Sequence, residues 1–274
     1  MNFLQSKEAP LVNPADFKKW ILYEDENIIA LDKPGWLVCH PSKNGPFSSL
    51  VGAAKEYLMA DSLHLVSRLD RETSGVVLLA KNRKAASYWQ KGVELKIVRR
   101  HYFSILEGNL EESRNVATFL GKDPDSAVYV KQRVTEKSRK AKYAETNFLP
   151  HANQNGYTLC SVITLTGRKH QIRAHAQSIG LPLVGEKLYG KDESIYLKFC
   201  LNGWRNQWLK VLGMDRQALH GRCLMDTESR SEFLAPIPSD MLSFLSSEMN
   251  IGTEKVNEIM KIADQHFRTL VLEN

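Results

Sequence analysis

Ser67-Arg68-Leu69-Asp70-Arg71-Glu72-Thr73-Ser74-Gly75, followed by Val76-Val77-Leu78-Leu79-Ala80, is the stretch whose reading decides this chain. A single carboxylate, Asp70, sits between two arginines in a short polar segment. Beyond it the sequence turns continuously apolar, as a strand buried on both faces does. A loop carboxylate held against a rigid buried strand can be aimed at a substrate. The same pattern also describes a surface Asp–Arg pair ahead of an ordinary core strand.

Around this stretch, 274 residues suffice for a large core, as one big domain or two closely packed lobes. The balance of 43% hydrophobic and 25% charged residues is that of a soluble globular protein. No apolar stretch approaches a membrane span or a signal-peptide core, which points to the cytoplasm and away from membranes. Cys39, Cys160, Cys200 and Cys223 lie far apart with no Cys-x-x-Cys pair, so they read as separate thiols in a reducing cell. The net charge of +6 is uneven: from Leu224 onward nine acids face four Lys and Arg, leaving a basic body and an acidic tail. Basic residues concentrate in Lys81–Arg100 and Lys131–Lys142. Such a body suits a polyanion, because releasing counterions from phosphates drives binding, and it equally suits a solvated face.

In chain order, residues 1–20, with Pro10 and Pro14 and no clean period, read as an extended arm. Tyr23–Asn27 is a turn between two strands, and Asp32-Lys33-Pro34-Gly35 a second turn. Leu37–Pro41 reads as a short strand, with Lys33 and His40 in structural roles at the turn or on phosphate. Ser48 or Ser49 caps a helix from Leu50 to about Met59, and Asn82 one through about Val93. Ile97–Gly108 is a strand. The chain from Asn109 to Asn155 is polar and less regular, with Ala127–Val130 strand-like and a basic turn at Lys137–Lys142. Thr158–Leu165 alternates as a strand. Thr166-Gly167-Arg168-Lys169-His170-Gln171-Ile172-Arg173-Ala174-His175 then takes a helical period to about Gly180. Thr166 is the expected cap, and free N–H groups beside Arg168 and Lys169 would suit phosphate. The chain after about Asp240 reads as an acidic, helical extension over 241–274.

Several of these segments resemble, in order, the motifs of the RluA-type family of RNA pseudouridine synthases. The opening stretch resembles its His-Arg-Leu-Asp signature with Thr-Ser-Gly following, except that Ser67 stands where the family has His. Arg100-His101-Tyr102 and the strand after it resemble the second motif, with Arg100 where Lys is usual. The decamer from Thr166 resembles the third, and Gly185-Glu186-Lys187-Leu188-Tyr189-Gly190 the segment after it, with Glu186 for the common Asp. Gln217–His220 and Ala235–Pro238 continue the match over roughly 20–240. The resemblance implies an α+β catalytic domain over that range, with a central mixed, mostly antiparallel sheet in two lobes and a catalytic cleft between them. It leaves no room ahead for the small RNA-binding domain that many members carry.

By the same resemblance Asp70, Tyr102 and Arg173 are the catalytic residues, and Arg68, Arg71, Arg100, Arg168, Lys169 and His170 contact RNA. The reaction breaks the N-glycosidic bond of a uridine, turns the base and rejoins it through carbon 5. Nothing is oxidised and no group is imported, so neither metal nor nucleotide cofactor is expected. No Walker loop, dinucleotide fingerprint, His-Glu-x-x-His or zinc-deaminase motif occurs in the chain. An ionised carboxylate in a closed pocket needs a fixed cation, since burial alone favours its neutral form; the family gives that task to Arg173. Tyr102 is expected on the extracted base, and Arg68 in the gap it leaves. The expected partner is structured ribosomal or transfer RNA, and the expected state a monomer. A non-catalytic RNA-binding protein or assembly factor on the same fold is the other reading, disfavoured by the intact Asp70, Tyr102 and Arg173.

Overall fold

The computed structural model describes residues 11–40 and 44–273. The chain enters through helix α1 (Pro14–Lys19), strands β1 (Ile21–Glu24) and β2 (Ile28–Lys33), and helix α2 (Leu50–Leu58). Strands β3 (His64–Leu65) and β4 (Ser74–Ala80), helix α3 (Arg83–Glu94) and strand β5 (Val98–Glu107) follow. Next come β6 (Arg114–Lys122), β7 (Gln132–Thr135), β8 (Lys142–Gln154) and β9 (Tyr157–Thr164). Helices α4 (Gln171–Ser178), α5 (Ser194–Asn202) and α6 (Leu209–Leu212) precede β10 (Leu219–Asp226) and β11 (Glu232–Leu234). Two helices, α7 (Ser239–Ser247) and α8 (Thr253–Leu272), end the chain. The fold is α+β, on a large mixed sheet in which antiparallel pairs prevail. None of the helices among the described residues is long and apolar enough to cross a membrane.

Two units can be separated: the described residues up to Arg100 with His220–Ile237, and His101–Leu219 with the chain from Pro238 onward. In the first, β4 is the axis. It pairs antiparallel with β2 from Lys33↔Gly75 to Ile28↔Ala80, antiparallel with β3, and parallel with β10 at Ser74↔His220. All seven of its residues are buried because both faces are covered. Val77 and Leu79, with Ile29 and Leu31 of β2, pack on Phe17 of α1 and on Leu50, Val51 and Ala54 of α2. Val76, Leu78 and Ala80 face the other way, onto Ala86 and Trp89 of α3 and Phe233 of β11. Each fully buried aliphatic side chain here contributes about 1.5–3 kcal/mol relative to exposure. The helix caps stand as expected: Ser49 Oγ accepts from Gly52 N, and Asn82 Oδ1 from Ala85 N.

In the second unit the order is β5-β9-β8-β6-β7, with β6–β7, β6–β8 and β8–β9 antiparallel. Ala174 of α4 packs with Leu120, Ala144, Leu188 and Tyr189. The C-terminal extension is integral to this unit. Phe267 of α8 stacks on the fully buried ring of His101 at 5.1 Å, and Phe244 of α7 meets Tyr157 edge-on at 5.1 Å.

Several sequence expectations are corrected. Residues 14–19 are helical rather than extended, because Asn13 caps Ala15 N and Pro14 occupies the first turn, where its missing N–H costs nothing; residues 1–10 lie outside the described residues. Val38 makes only an isolated bridge to Ser49 instead of a strand, and Pro41 lies outside the described residues. Ala127–Val130 is a turn with Val128 buried and Tyr129 exposed, and the strand is β7 beside it. The segment read as irregular holds β6 and the 13-residue β8. Thr166 does not cap α4. Its hydroxyl donates to Gln171 Oε1 at 2.7 Å, and the helix starts only at Gln171, after His170 in the left-handed region.

Candidate active site

The Asp70 loop joins β3 to β4 and is pinned on both sides of the carboxylate. Leu69 packs against the first apolar cluster, and its carbonyl accepts from Cys39 Sγ at 3.4 Å. Thr73 N donates to the Asp70 carbonyl at 3.1 Å, closing a tight turn. Lys33, at the end of β2 and fully buried, donates its ammonium to the carbonyls of Leu37, Pro34 and Arg71 at 2.8, 2.9 and 3.1 Å. The Lys-Pro turn is thus an anchor, which settles Lys33 in its structural role. Arg71 lies outside, its guanidinium 5.3 Å from the centroid of Trp36. Asp70 is half-buried; Arg68 and Arg71 are exposed, and Ser67 is half-buried.

The Thr-Ser-Gly that follows has its own physical reason. Ser74 Oγ shares a hydrogen bond with His220 Nδ1 at 3.0 Å, and His220 Nε2 reaches the Ala235 carbonyl at 3.3 Å. Gly75 has φ +112°, and a Cβ there would sit 2.2 Å from the Gly221 carbonyl oxygen. The parallel β4–β10 pairing therefore requires glycine directly behind the loop. Cys39 stands behind the loop as well. Burial pushes its thiol up, Lys33 opposes this, and the Asp70 carboxylate adds to it.

In the second unit, Tyr102 lies on β5 and is 9% exposed. Arg100, two residues before it, is half-buried. Arg173 is on α4, buried, and locked by a partner that sequence reasoning missed. Its Nε and Nη2 donate to Glu186 Oε2 and Oε1 at 2.7 and 2.6 Å. Its guanidinium also lies 5.0 Å from the ring centroid of Tyr189. Burial opposes ionisation of Glu186. The Arg173 charge and hydrogen bonds, with the N–H groups of Leu188 and Tyr189, outweigh it and hold the carboxyl below the usual glutamate range. Gly185, at φ +77°, admits the turn, since a Cβ there would meet the Arg216 carbonyl oxygen at 1.9 Å.

Gln171 ties the loop before α4 to β8. Its Nε2 donates to the Glu145 carbonyl and Thr146 Oγ1 at 2.9 Å each, while Oε1 accepts from Arg168 N at 2.9 Å. Arg168 and Lys169 are exposed, and Arg168 Nε is bonded to the Tyr143 carbonyl at 2.8 Å. His170 turns inward instead, its Nδ1 2.8 Å from the hydroxyl of the fully buried Tyr189. His175 bridges Thr146 Oγ1 and Thr118 Oγ1 at 2.9 and 3.0 Å, and burial lowers its pKa to about 4, so it is neutral. Only the spacing Gly185-Glu186…Tyr189-Gly190 signalled the Arg173 support; nothing local to Arg173 announces it.

The half-buried Asp70 loop of the first unit and the buried, Glu186-held Arg173 of the second are each fixed by their own surroundings. Comparison with known proteins specifies the class. The family model for RNA pseudouridylate synthase matches residues 27–178, a range holding Asp70, Tyr102 and Arg173. The uncharacterized RNA pseudouridine synthase YjbO of Bacillus subtilis is 31% identical over 253 residues, covering 89% of this chain and 81% of that protein. The Mycoplasma pneumoniae MG209 homolog, an uncharacterized RNA pseudouridine synthase, is 38% identical over 180 residues, 65% of this chain; the match spans only 58% of that relative's length. Ribosomal large subunit pseudouridine synthase D of Nitrosomonas europaea is 29% identical over 245 residues, 86% of this chain and 67% of that one. In fold, the chain is similar to human RNA pseudouridylate synthase domain containing 4, with TM-score 0.66 at 23% identity over 85% of this chain and 94% of that one. This chain belongs to the RNA pseudouridylate synthase family.

Proposed function

We propose that this chain isomerises specific uridines of ribosomal or transfer RNA to pseudouridine, with Asp70 as the catalytic carboxylate. The observation that carries the reading is the construction of the Asp70 loop. A carboxylate whose two neighbours are tied by Cys39 and Lys33, ahead of a fully buried strand, is preorganised rather than mobile. Asp70 either adds to the nucleoside or removes a sugar proton to give a glycal; both routes break the bond from N1 to C1′. The base then turns and carbon 5 bonds to C1′, while the bond to Asp70 breaks in the first route and Asp70 returns the proton to the sugar in the second. The hydrogen on carbon 5 leaves as a proton, and N1 takes one up. Atoms balance, and no redox partner enters.

In this reading Arg173 keeps Asp70 ionised, and Glu186 and Tyr189 hold Arg173 in place. Tyr102 contacts the base and assists the loss of the carbon 5 proton. The uridine leaves its stack at a cost of a few kcal/mol. Arg68, exposed beside Asp70, fills the gap with a planar group that stacks and donates at once. Arg71, Arg100, Arg168 and Lys169 contribute cationic contacts to the RNA backbone, with His170 acting through Tyr189. The names of relatives such as the Nitrosomonas europaea enzyme favour ribosomal RNA as the first substrate to try.

Mapping pseudouridines in RNA from cells with and without the gene tests this. The reading expects one or more sites to vanish on deletion, return with the wild-type gene, and stay absent with Asp70→Asn. An unchanged map overturns it.

A further inference from the structure

At the opposite end of β4 from Asp70, the first unit holds a cavity of about 600 Å³ between the β1–β2 turn, α3 and the β10–β11 hairpin. Lys33 pairs with Gly75 next to the Asp70 loop, whereas Ile28, in the cavity lining, pairs with Ala80. The seven residues of β4 therefore separate the two places by roughly 20 Å at the rise of an extended strand.

The cavity is aromatic. Its floor is Trp89 and Phe233, each 6% exposed, and its walls are Tyr23 and Tyr88, 45% and 46% exposed. Ring centroids lie 5.4 Å apart for Tyr23–Phe233, 5.9 Å for Trp89–Phe233 and 5.6 Å for Tyr88–Trp89. The exposed rings are also fixed: the Tyr23 hydroxyl donates to Asp25 Oδ2 at 3.1 Å and the Tyr88 hydroxyl to Asp226 Oδ2 at 2.5 Å. Exposed aromatic faces, held in place and unused by the isomerisation, call for an occupant.

The charges around them select it. Lys84 lies in the lining, and Arg83 and Lys91 are exposed on the same helix, so phosphates are attracted along α3. Within are two carboxylates, Asp25 and Glu232. The Asp25 oxygens accept from the Tyr23 hydroxyl and the N–H groups of Asn27 and Ile28, and Glu232 Oε1 accepts from Cys223 Sγ at 3.6 Å. Asn27, Ser229 and Ser231 offer neutral polar groups. Aromatic plates beside a cationic track are the two ingredients of single-stranded nucleic-acid binding: bases stack while phosphates meet cations. A carboxylate repels phosphate from the interior but accepts base N–H groups, and guanine presents two adjacent donors to it. A cationic side chain would also favour the ring faces and the carboxylates of Asp25 and Glu232, and it is opposed by Lys84 in the lining with Arg83 and Lys91 exposed on the same helix.

We propose that this cavity is a second RNA anchor that takes an unpaired base of the substrate, with preference for guanine, while α3 holds the neighbouring phosphates. The inference rests on the reading that the chain acts on RNA, and its test needs no turnover.

The probe is guanosine 5′-monophosphate, titrated into the full chain while the indole N–H of Trp89, assigned with Trp89→Phe, is followed by NMR. The nucleotide is expected to shift that signal saturably, and adenosine and uridine monophosphates to bind more weakly. Tyr88→Ala should weaken binding about tenfold, in line with the worth of one base stack. Lys84→Ala, at an exposed position that leaves the fold intact, should weaken it by a smaller factor, and Glu232→Gln should abolish the preference for guanine. Asp70→Asn should bind the nucleotide unchanged, and a wild type that binds it yet turns over no RNA counts against the catalytic reading alone. No shift with any nucleotide, or a shift with Nα-acetylarginine amide in their place, overturns the anchor; equal affinities for all three nucleotides overturn the guanine preference.

Discussion

The ammonium of Lys33 and the main-chain oxygen of Arg71 are joined at 3.1 Å beneath the Asp70 loop, by a lysine with no exposed surface. The same nitrogen serves Pro34 and Leu37, so one buried cation sets both the Lys-Pro turn and the position of Asp70. Lys33→Met is expected to strand these carbonyls and cost about 2–4 kcal/mol of stability. Urea unfolding reads the loss, and turnover should fall further than the unfolded fraction explains because the loop is no longer aimed.

Arg173 and Glu186 make the corresponding test in the second unit. Removing one member of a buried pair leaves the other charge uncompensated, so Glu186→Gln should destabilise by about 3–5 kcal/mol. Glu186→Asp, the residue common in the resembling motif, keeps the charge and should retain most activity. Because the folded carboxyl titrates below its unfolded value, its contribution is present above the ordinary glutamate range and is lost as pH falls through the folded value. Glu186→Gln should therefore flatten the acid limb of a stability–pH curve measured by urea unfolding.

The buried His175 and the half-buried His151 predict a second, milder acid sensitivity. Burial lowers His175 from 6.5 to about 4; burial and then the charge of His266 do the same to His151. Between these values the unfolded chain binds protons that the folded chain refuses, so stability declines as pH falls from about 6.5 toward 4. For the fully buried His175 the slope is at most about 1.4 kcal/mol per pH unit. His175→Gln, which keeps a donor and an acceptor for the two threonines, should make the unfolding midpoint less pH-dependent over that window.

Arg68→Ala should leave the unfolding curve unchanged, since the side chain is exposed, yet lower kcat/KM on structured RNA roughly tenfold or more. Equal turnover of wild type and variant on a folded substrate would remove Arg68 from the gap-filling role.

How much could be read in advance follows from how local each cause is. The strand after Asp70 was legible because helices cover both its faces, which forces an unbroken apolar run. The caps Ser49 and Asn82 were legible because the hydroxyl or amide acts three residues on. β6 was hidden because its outward face is polar and its burial alternates irregularly. The start of α4 was misplaced because the Gln171 side chain, five residues on, takes the Thr166 hydroxyl. The Arg173–Glu186 pair spans the end of a helix and a glycine turn, and only three-dimensional folding brings it together. Thr73-Ser74-Gly75 could be matched as a motif, but its reason, the close approach of Gly221, depends on a strand more than a hundred residues away.

The central claim is that Asp70 performs the isomerisation. Its most direct test is release of tritium from RNA labelled at uridine carbon 5, by purified wild type and by Asp70→Asn shown to be folded by circular dichroism. The account predicts release by wild type and none above background by the variant, with RNA still bound. Equal release by both, or none by wild type on any cellular RNA that it binds, would contradict it.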